Sequence, residues 1–233
     1  MISIVVPTLN EAKCIGILAE RIAAVLGEQP YELIVVDDDS PDKTWQIAGE
    51  LPTRYRITVK RRMGRTGLSS AVVEGFAVAT GDILCVMDAD LSHPPEAIPG
   101  LVAAIKEQGA DLAIASRLVP GGGTEGWPST RKITSRIAAL LARPLTPVKD
   151  PLSGFFAFRR KVLEGVRLKP RGYKIGLEII IKGNAEKIVE VPFVFIDRTA
   201  GKSKLGMKQN VEYLVQLLDL YLTAITRTLW PRR

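Results

Sequence analysis

The stretch Ile83-Leu84-Cys85-Val86-Met87-Asp88-Ala89-Asp90-Leu91-Ser92-His93 decides how this chain is read. Gly81-Asp82 opens it, an apolar run follows, and two carboxylates close it. A run bounded in this way reads as a buried strand of a parallel sheet, with the carboxylates at its carboxyl end. Open α/β sheets bind their ligands at that end. Side chains at i and i+2 of an extended segment share one side, so Asp88 and Asp90 aim hard oxygen donors at one point, which suits Mg²⁺ or Mn²⁺ bridging a diphosphate. Taken alone, the tripeptide fits a strand end capped by two solvated aspartates about as well.

Upstream, Ile2-Ser3-Ile4-Val5-Val6-Pro7 reads as a β-branched strand and Thr8-Leu9-Asn10-Glu11 as the turn out of it, while Ile15 to Leu26 has helical spacing. Leu33-Ile34-Val35-Val36 then runs into Asp37-Asp38-Asp39-Ser40-Pro41-Asp42-Lys43-Thr44, ahead of another helix. This β-α-β-α order predicts a parallel nucleotide-binding layer. The sequence has neither G-x-G-x-x-G after the first strand nor G-x-x-x-x-G-K-[ST], which excludes phosphate binding on those glycine-rich loops. Carboxylates and a metal must then do that work.

These residues carry a resemblance. Val5-Val6-Pro7-Thr8-Leu9-Asn10-Glu11, Val36-Asp37-Asp38-Asp39-Ser40, Gly64-Arg65-Thr66-Gly67-Leu68 and Asp88-Ala89-Asp90 are similar, in order, to the motifs of inverting family 2 glycosyltransferases with a GT-A fold. Ala115-Ser116-Arg117, Trp127 with Arg131, Asp150 to Phe156, Gly172-Tyr173-Lys174 with Glu178, and Gly201 to Gly206 resemble the dolichol-phosphate mannose synthases. The resemblance implies an α/β nucleotide-diphospho-sugar transferase fold over residues 1–206, with a mostly parallel central sheet flanked by helices, and a C-terminal amphipathic helix over 207–233. It implies a GDP-mannose donor, a dolichyl (polyprenyl) phosphate acceptor and Mg²⁺ or Mn²⁺, with a possible small membrane subunit.

The same resemblance assigns roles. Pro7, Leu9, Glu11, Asp39 and Asp88 line the nucleotide. Asp90 is the principal metal ligand together with Asp88; many relatives carry Gln two residues on, where this chain has Ser92, a shorter and weaker candidate ligand. His93, the sole histidine, reads as a turn residue before Pro94-Pro95 rather than a catalyst.

Charge is unevenly divided. Residues 1–116 hold 10 Lys/Arg and 16 Asp/Glu, whereas residues 117–233 hold 22 and 9, so the acidic half carries the metal motif and the basic half suits an anionic partner. Nucleic acid is excluded as that partner: the basic residues are dispersed among apolar helices, without zinc-ligand spacing or an RNP-like aromatic strand. A phosphate monoester acceptor is already anionic near neutrality, its second pKa being about 6, so it needs a cationic clamp more than a base. Arg117, Arg131, Ser135 and Lys202 are the candidates. Arg117 follows the apolar run Leu112 to Ala115 and so stands at another strand's carboxyl end, although a surface arginine is the plainer reading.

Cys14 and Cys85 are too few for a disulfide framework, and the first strand begins at residue 2, so a reducing cytoplasmic setting is expected. No apolar stretch reaches 18 residues, and a peripheral position on the cytoplasmic membrane face is expected instead. Val211, Leu214, Val215, Leu218, Tyr221, Leu222, Ile225 and Leu229 follow a helical stripe opposite Glu212, Gln216, Asp219, Thr223 and Arg227. That stripe suits a lipid headgroup boundary or a core contact. Ile133, Ile137, Leu140 and Leu141 form a second stripe, with Arg131 and Ser135 on another face. The glycine-rich stretch Val119 to Pro128 reads as a mobile loop without regular structure. Glu178 is placed to pair with Lys174 at i−4. UDP-glucose as donor, and a non-catalytic nucleotide-binding partner of a membrane enzyme, are the alternatives.

Overall fold

The computed structural model describes residues 1–52, 56–64, 67–170, 172–197 and 207–229, with side chains in the last segment from 211 to 226. Strands β1 (Ile2–Thr8), β2 (Tyr31–Asp37), β3 (Ile57–Arg61), β4 (Ile83–Val86), β5 (Leu112–Ser116), β7 (Phe156–Arg159) and β8 (Ile188–Pro192) form one seven-stranded sheet in the order β3-β2-β1-β4-β7-β5-β8. All are parallel except β7, which runs antiparallel between β4 and β5. The strand order reverses between β1 and β4, the place where open α/β sheets leave a crevice beyond their carboxyl ends. β7 points the other way, so the segment before it, Asp150 to Phe155, arrives at that same edge.

Hydrophobicity explains the layers. β1, β2, β4 and β5 are buried almost throughout, as expected of strands covered on both faces. One core face packs against helices α1 (Ile15–Leu26) and α4 (Ile98–Lys106); the other packs against α3 (Leu68–Val78) and α6 (Ile175–Lys182). A short helix α2 (Thr44–Glu50) follows β2. Pro7 is tolerated in β1 because its pairing with β4 ends at Val5, so beyond that point the missing N–H faces no strand on that side.

Two helices lie outside this sandwich. α5 (Ser129–Ala142) and α7 (Met207–Leu229) pack together with Leu152 and Leu177 through Ala139, Ala142, Tyr213, Leu217 and Leu220. Tyr213 and Tyr221 donate their hydroxyls to the carbonyls of Ala138 and Leu141, both at 2.7 Å. The glycine-rich stretch departs from expectation. Gly123–Glu125 forms strand β6, parallel to β9 (Val194–Ile196), because Phe193 and β9 follow β8 out of the sheet and offer open backbone groups. A Cβ at Gly122 would stand 2.4 Å from the Ser116 carbonyl, which is why glycine turns the chain there.

α3 lies close on the sheet at Gly75, where a Cβ would stand 2.3 Å from Val5 Cγ1. Gly75→Ala must push α3 off β1, an overpacking that costs about 1–3 kcal/mol. A urea titration should show an earlier midpoint at unchanged m; an unchanged midpoint would contradict this packing.

Candidate functional site

Four parallel strands deliver their polar ends to one edge. At the end of β1, Thr8 donates to the buried Asp37 at 2.7 Å, and the backbone N–H groups of Asn10 and Glu11 donate to Ser40 Oγ at 3.0 Å and Thr44 Oγ1 at 2.9 Å. The Asp42 carboxylate accepts both the N–H and the hydroxyl of Thr44, so the β2 turn is held by side chains rather than by a helix cap. Asn10, Asp39, Lys43 and Leu91 all have left-handed backbone, a concentration of strained conformations around this edge. Pro7, Leu9 and Glu11 are half-buried here, and Asp39 accepts a 2.6 Å bond from Arg61, whose guanidinium lies 4.1 Å from the Trp45 ring centre. Arg65 and Thr66 lie outside the described residues, but the neighbouring Gly67 N–H donates to Asp38 at 2.7 Å.

At the end of β4, Asp90 Oδ1 accepts both the N–H (3.0 Å) and the hydroxyl (2.6 Å) of Ser92. This turn, with Leu91 left-handed, aims the carboxylate, and it fixes Ser92 as a buried donor to Asp90. Asp88 keeps 29% of its side chain exposed. Asp88 and Asp90 offer hard oxygen donors of the kind that hold Mg²⁺ or Mn²⁺, which retain several waters and phosphate oxygens as further ligands. Among the described residues, no group of three or more His, Cys, Asp or Glu side chains is arranged to hold a metal ion by itself. The donor set therefore fits an ion shared with a diphosphate better than a closed protein cage.

The cations stand beside these acids. Arg117, at the end of β5, donates Nε and Nη2 to the two oxygens of Asp150 at 2.7 Å, and its backbone N–H adds a third bond at 2.9 Å. Asp150 is wholly buried. Arg131, in the first turn of α5, donates Nη1 to Asp197 at 2.8 Å and lies 4.0 Å over Trp127; Arg117 lies 5.3 Å from the same ring. Trp127 packs edge-on against Phe195. One indole thus carries both guanidiniums. Ser135 is half-buried one helical turn beyond Arg131. Lys202 and the rest of Gly201 to Gly206 lie outside the described residues, as does Trp230.

The residue not singled out for this cluster is Lys174. Its ammonium, enclosed although the residue as a whole is half-buried, donates to the Leu152 carbonyl at 2.8 Å and lies 4.8 Å from the Tyr173 ring centre. Burial first, and then Arg117, push its pKa down to about 8, opposed by Asp150 and Asp88. The signal was present in the sequence, where a lysine stands immediately before the apolar run of α6. The expected pairing of Lys174 with Glu178 does not form. Glu178 instead accepts Lys182 Nζ and the Lys169 N–H, both at 2.6 Å, because Lys174 precedes the helix and points into the crevice.

α7 turns its apolar stripe outward. Val211, Leu214, Val215, Leu218, Leu222 and Ile225 are exposed, Leu218 and Leu222 to 64% each. Polar Gln216 instead faces inward, donating to the Lys174 carbonyl, while Asp219 pairs with Lys169. Ile133, Ile137, Leu140 and Leu141 of α5 are exposed as well. Among the described residues, no helix is long and apolar enough to cross a membrane.

Residues 3–167 match the family model described as Glycosyl transferase family 2. A dolichol-phosphate mannosyltransferase of Pyrococcus furiosus is 52% identical over 94% of this chain, which spans 63% of that protein's length. The Saccharomyces cerevisiae protein of the same name is 38% identical, over 94% of this chain and 86% of its own. A crystal structure of Mycobacterium tuberculosis glucosyl-3-phosphoglycerate synthase with Mn²⁺, UDP and glucosyl-3-phosphoglycerate superposes with a TM-score of 0.69 at 25% identity, covering 96% of this chain and 79% of that one.

Lys174 supplies a test of the cluster's electrostatics. It loses its proton near pH 8 when folded and near 10.5 when free, so the unfolded chain binds more protons between these values and stability rises with pH across that window. Lys174→Met lacks this gain. Its melting temperature relative to wild type should therefore be most favourable below pH 8 and fall steadily toward pH 10.5; a difference that does not vary with pH would contradict the enclosed ammonium.

Proposed function

The chain belongs to glycosyl transferase family 2, and from that premise we propose that it transfers mannose, with inversion, from GDP-mannose to a dolichyl-type polyprenyl phosphate at the cytoplasmic surface of a membrane. The observation that carries this reading is the meeting of two half-sites of opposite sign at one sheet edge: Asp88 and Asp90 beside Arg117, Arg131 and Lys174. A diphosphate donor requires the first half and an anionic acceptor the second. The two similar proteins named above as dolichol-phosphate mannosyltransferases favour mannose and a dolichyl acceptor.

Asp88 and Asp90 would hold Mg²⁺ or Mn²⁺ against the donor diphosphate, with Ser92 steadying Asp90 or lending its oxygen as a further ligand. When bound, such an ion neutralises charge on the departing diphosphate. Pro7, Leu9, Glu11 and Asp39 form the nucleotide wall on this reading. The acceptor phosphate needs no strong general base, being anionic already. It needs cations that overcome its repulsion from the donor and aim one oxygen at the sugar's anomeric carbon, opposite the leaving diphosphate. Arg131 and Ser135 on one face of α5, with Arg117 held by Asp150, suit that task, and Lys202 extends it. In-line attack inverts the centre, giving a β-linked product from an α-linked donor.

The exposed stripes of α5 and α7 support a peripheral seat on lipid, where a polyprenyl chain is presented. A small membrane subunit on the same outward face belongs to this reading. UDP-glucose is the second reading for the donor, because the superposed synthase was solved with UDP and Mn²⁺. A non-catalytic role fits less well, since a scaffold has no need of both half-sites.

Thermal-shift measurements with GDP, GDP-mannose, UDP and UDP-glucose, each with and without Mn²⁺, test the donor by mass action. GDP and GDP-mannose should stabilise most and only with metal. Asp90→Asn should fold, lose the metal-dependent shift and lose nearly all transfer. Arg131→Ala should keep the nucleotide shift while transfer falls at least tenfold, a lost charge-assisted contact being worth about 1.5–3 kcal/mol. Equal loss of nucleotide binding would overturn the division into half-sites. In a separate assay, Leu218→Asp with Leu222→Asp should leave the melting temperature within a few degrees yet weaken binding to anionic liposomes, because both side chains are outward. Unfolding of the double variant would show that the stripe is covered by the protein itself.

A further inference from the structure

Read as a turn residue in the sequence, His93 occupies a closed compartment against Asp88. Its ring stacks on Phe155 at 5.1 Å with 19° between the planes, and Phe193 and Phe195 meet it edge-on at 5.8 and 5.7 Å. The fourth wall is Gly154, where a Cβ would come within 3.4 Å of His93 Cε1 and 4.0 Å of Asp88 Oδ2. Nδ1 accepts the backbone N–H of Asp88 at 3.0 Å. A nitrogen that accepts a hydrogen bond carries no proton, so the neutral ring has its proton on Nε2. Nε2 stands 3.8 Å from Asp88 Oδ2.

We infer that His93 is a positioning residue for the donor half-site: Nδ1 accepts the backbone N–H of Asp88 and so fixes the chain where β4 hands over to its carboxylates, while Nε2, 3.8 Å from Asp88 Oδ2, is too far for a direct hydrogen bond. The inference deepens the reading of Asp88 as a donor-side residue and rests on it. The stack on Phe155 and the edge-on contacts of Phe193 and Phe195 hold the plane of the ring, and the hydrogen bond selects which nitrogen meets Asp88. A protonated ring would point a second N–H at the Asp88 N–H, two donors face to face, so this contact is made by the neutral ring. The same compartment reaches the other half-site, since Phe195 packs on Trp127, which carries Arg131 and Arg117.

Three substitutions separate the contacts. Asn places an amide oxygen where Nδ1 lies and keeps only the backbone anchor. Gln places its amide near Nε2 and loses the backbone anchor. Phe keeps the stack and loses the anchor. The probes are Mn²⁺-dependent stabilisation by GDP and by UDP, and the kinetics of mannose transfer from GDP-mannose to a polyprenyl phosphate. His93→Gln should weaken the metal-dependent nucleotide shift and lower kcat on the order of 10–100-fold, as for other partners that orient metal ligands, with KM for the lipid phosphate unchanged. His93→Asn should recover most of that loss, and His93→Phe should resemble Gln or be worse. If Phe performs as well as wild type, or if Asn and Gln are equally affected, the ring only packs and the inference fails. Asp88→Asn run in parallel tests the underlying reading: metal-dependent nucleotide binding that survives it removes Asp88 from the donor site, whatever His93 does.

Discussion

The crevice depends on one buried ion pair, Arg117 with Asp150. Asp150 is wholly buried and accepts three bonds from Arg117, while its own N–H donates to Glu190 at 3.0 Å. It therefore joins the end of β5, the segment leading into β7 and the edge strand β8. Removing one partner of such a pair costs about 3–5 kcal/mol, because the other is left charged and dry. The pair spends two of the Arg117 donors on structure and keeps the guanidinium at the crevice in one orientation. A cation fixed in that way meets an anionic ligand without losing side-chain entropy on binding.

Like charges crowd here, and the fold manages them with aromatic rings and paired acids rather than by spacing. Arg117 and Arg131 share Trp127, and each has its own carboxylate, Asp150 and Asp197. Among the described residues Lys174 has no such ion pair to offset its burial, and its pKa of about 8 reflects that burial. A binding site with surplus positive charge is a stability penalty that an anionic ligand relieves. The left-handed residues at Asn10, Asp39, Lys43 and Leu91 are a second such cost, placed along the same edge.

The parts legible in the sequence are those with long periodic signals or fixed chemistry. β1, β2 and β4 are largely apolar runs, β2 and β4 leading into acids and β1 into Thr8, and they appear where those runs predict them. The antiparallel sense of β7 was not legible, since the run Phe156-Ala157-Phe158 says buried but gives no direction; its neighbours β4 and β5 supply that. β6 was hidden because glycines suppress any strand signal, and its partner β9 lies some seventy residues on. Glu178 pairs with Lys182 rather than Lys174 because the helix begins only at Ile175, a boundary that spacing alone misplaces by one residue. The crevice lysine was missed for the same reason: its position just before the helix, not its residue type, turns it inward.

α7 shows how a periodic stripe can be read correctly and still leave its direction open. Its apolar residues repeat at helical spacing, which ordinarily means a face turned to the core. Here the protein side of the helix is instead a mixed face, with Tyr213, Leu217 and Leu220 beside Gln216 and Asp219, where Gln216 Nε2 donates to the Lys174 carbonyl and the Asp219 carboxylate pairs with Lys169 and Lys182. Lys182, Glu178 and Lys169 on the α6 side supply the complementary charges, so the polar residues are the docking face and the apolar ones are left outward. Exposing a stripe of this size to water is unfavourable for a lone soluble domain. The same geometry places Gln216 on the Lys174 carbonyl, one bond from the crevice. Contact between that outward stripe and an apolar surface would thus bear on the helix that steadies the crevice lysine, a short physical path from the outer face of α7 to the cations of the crevice.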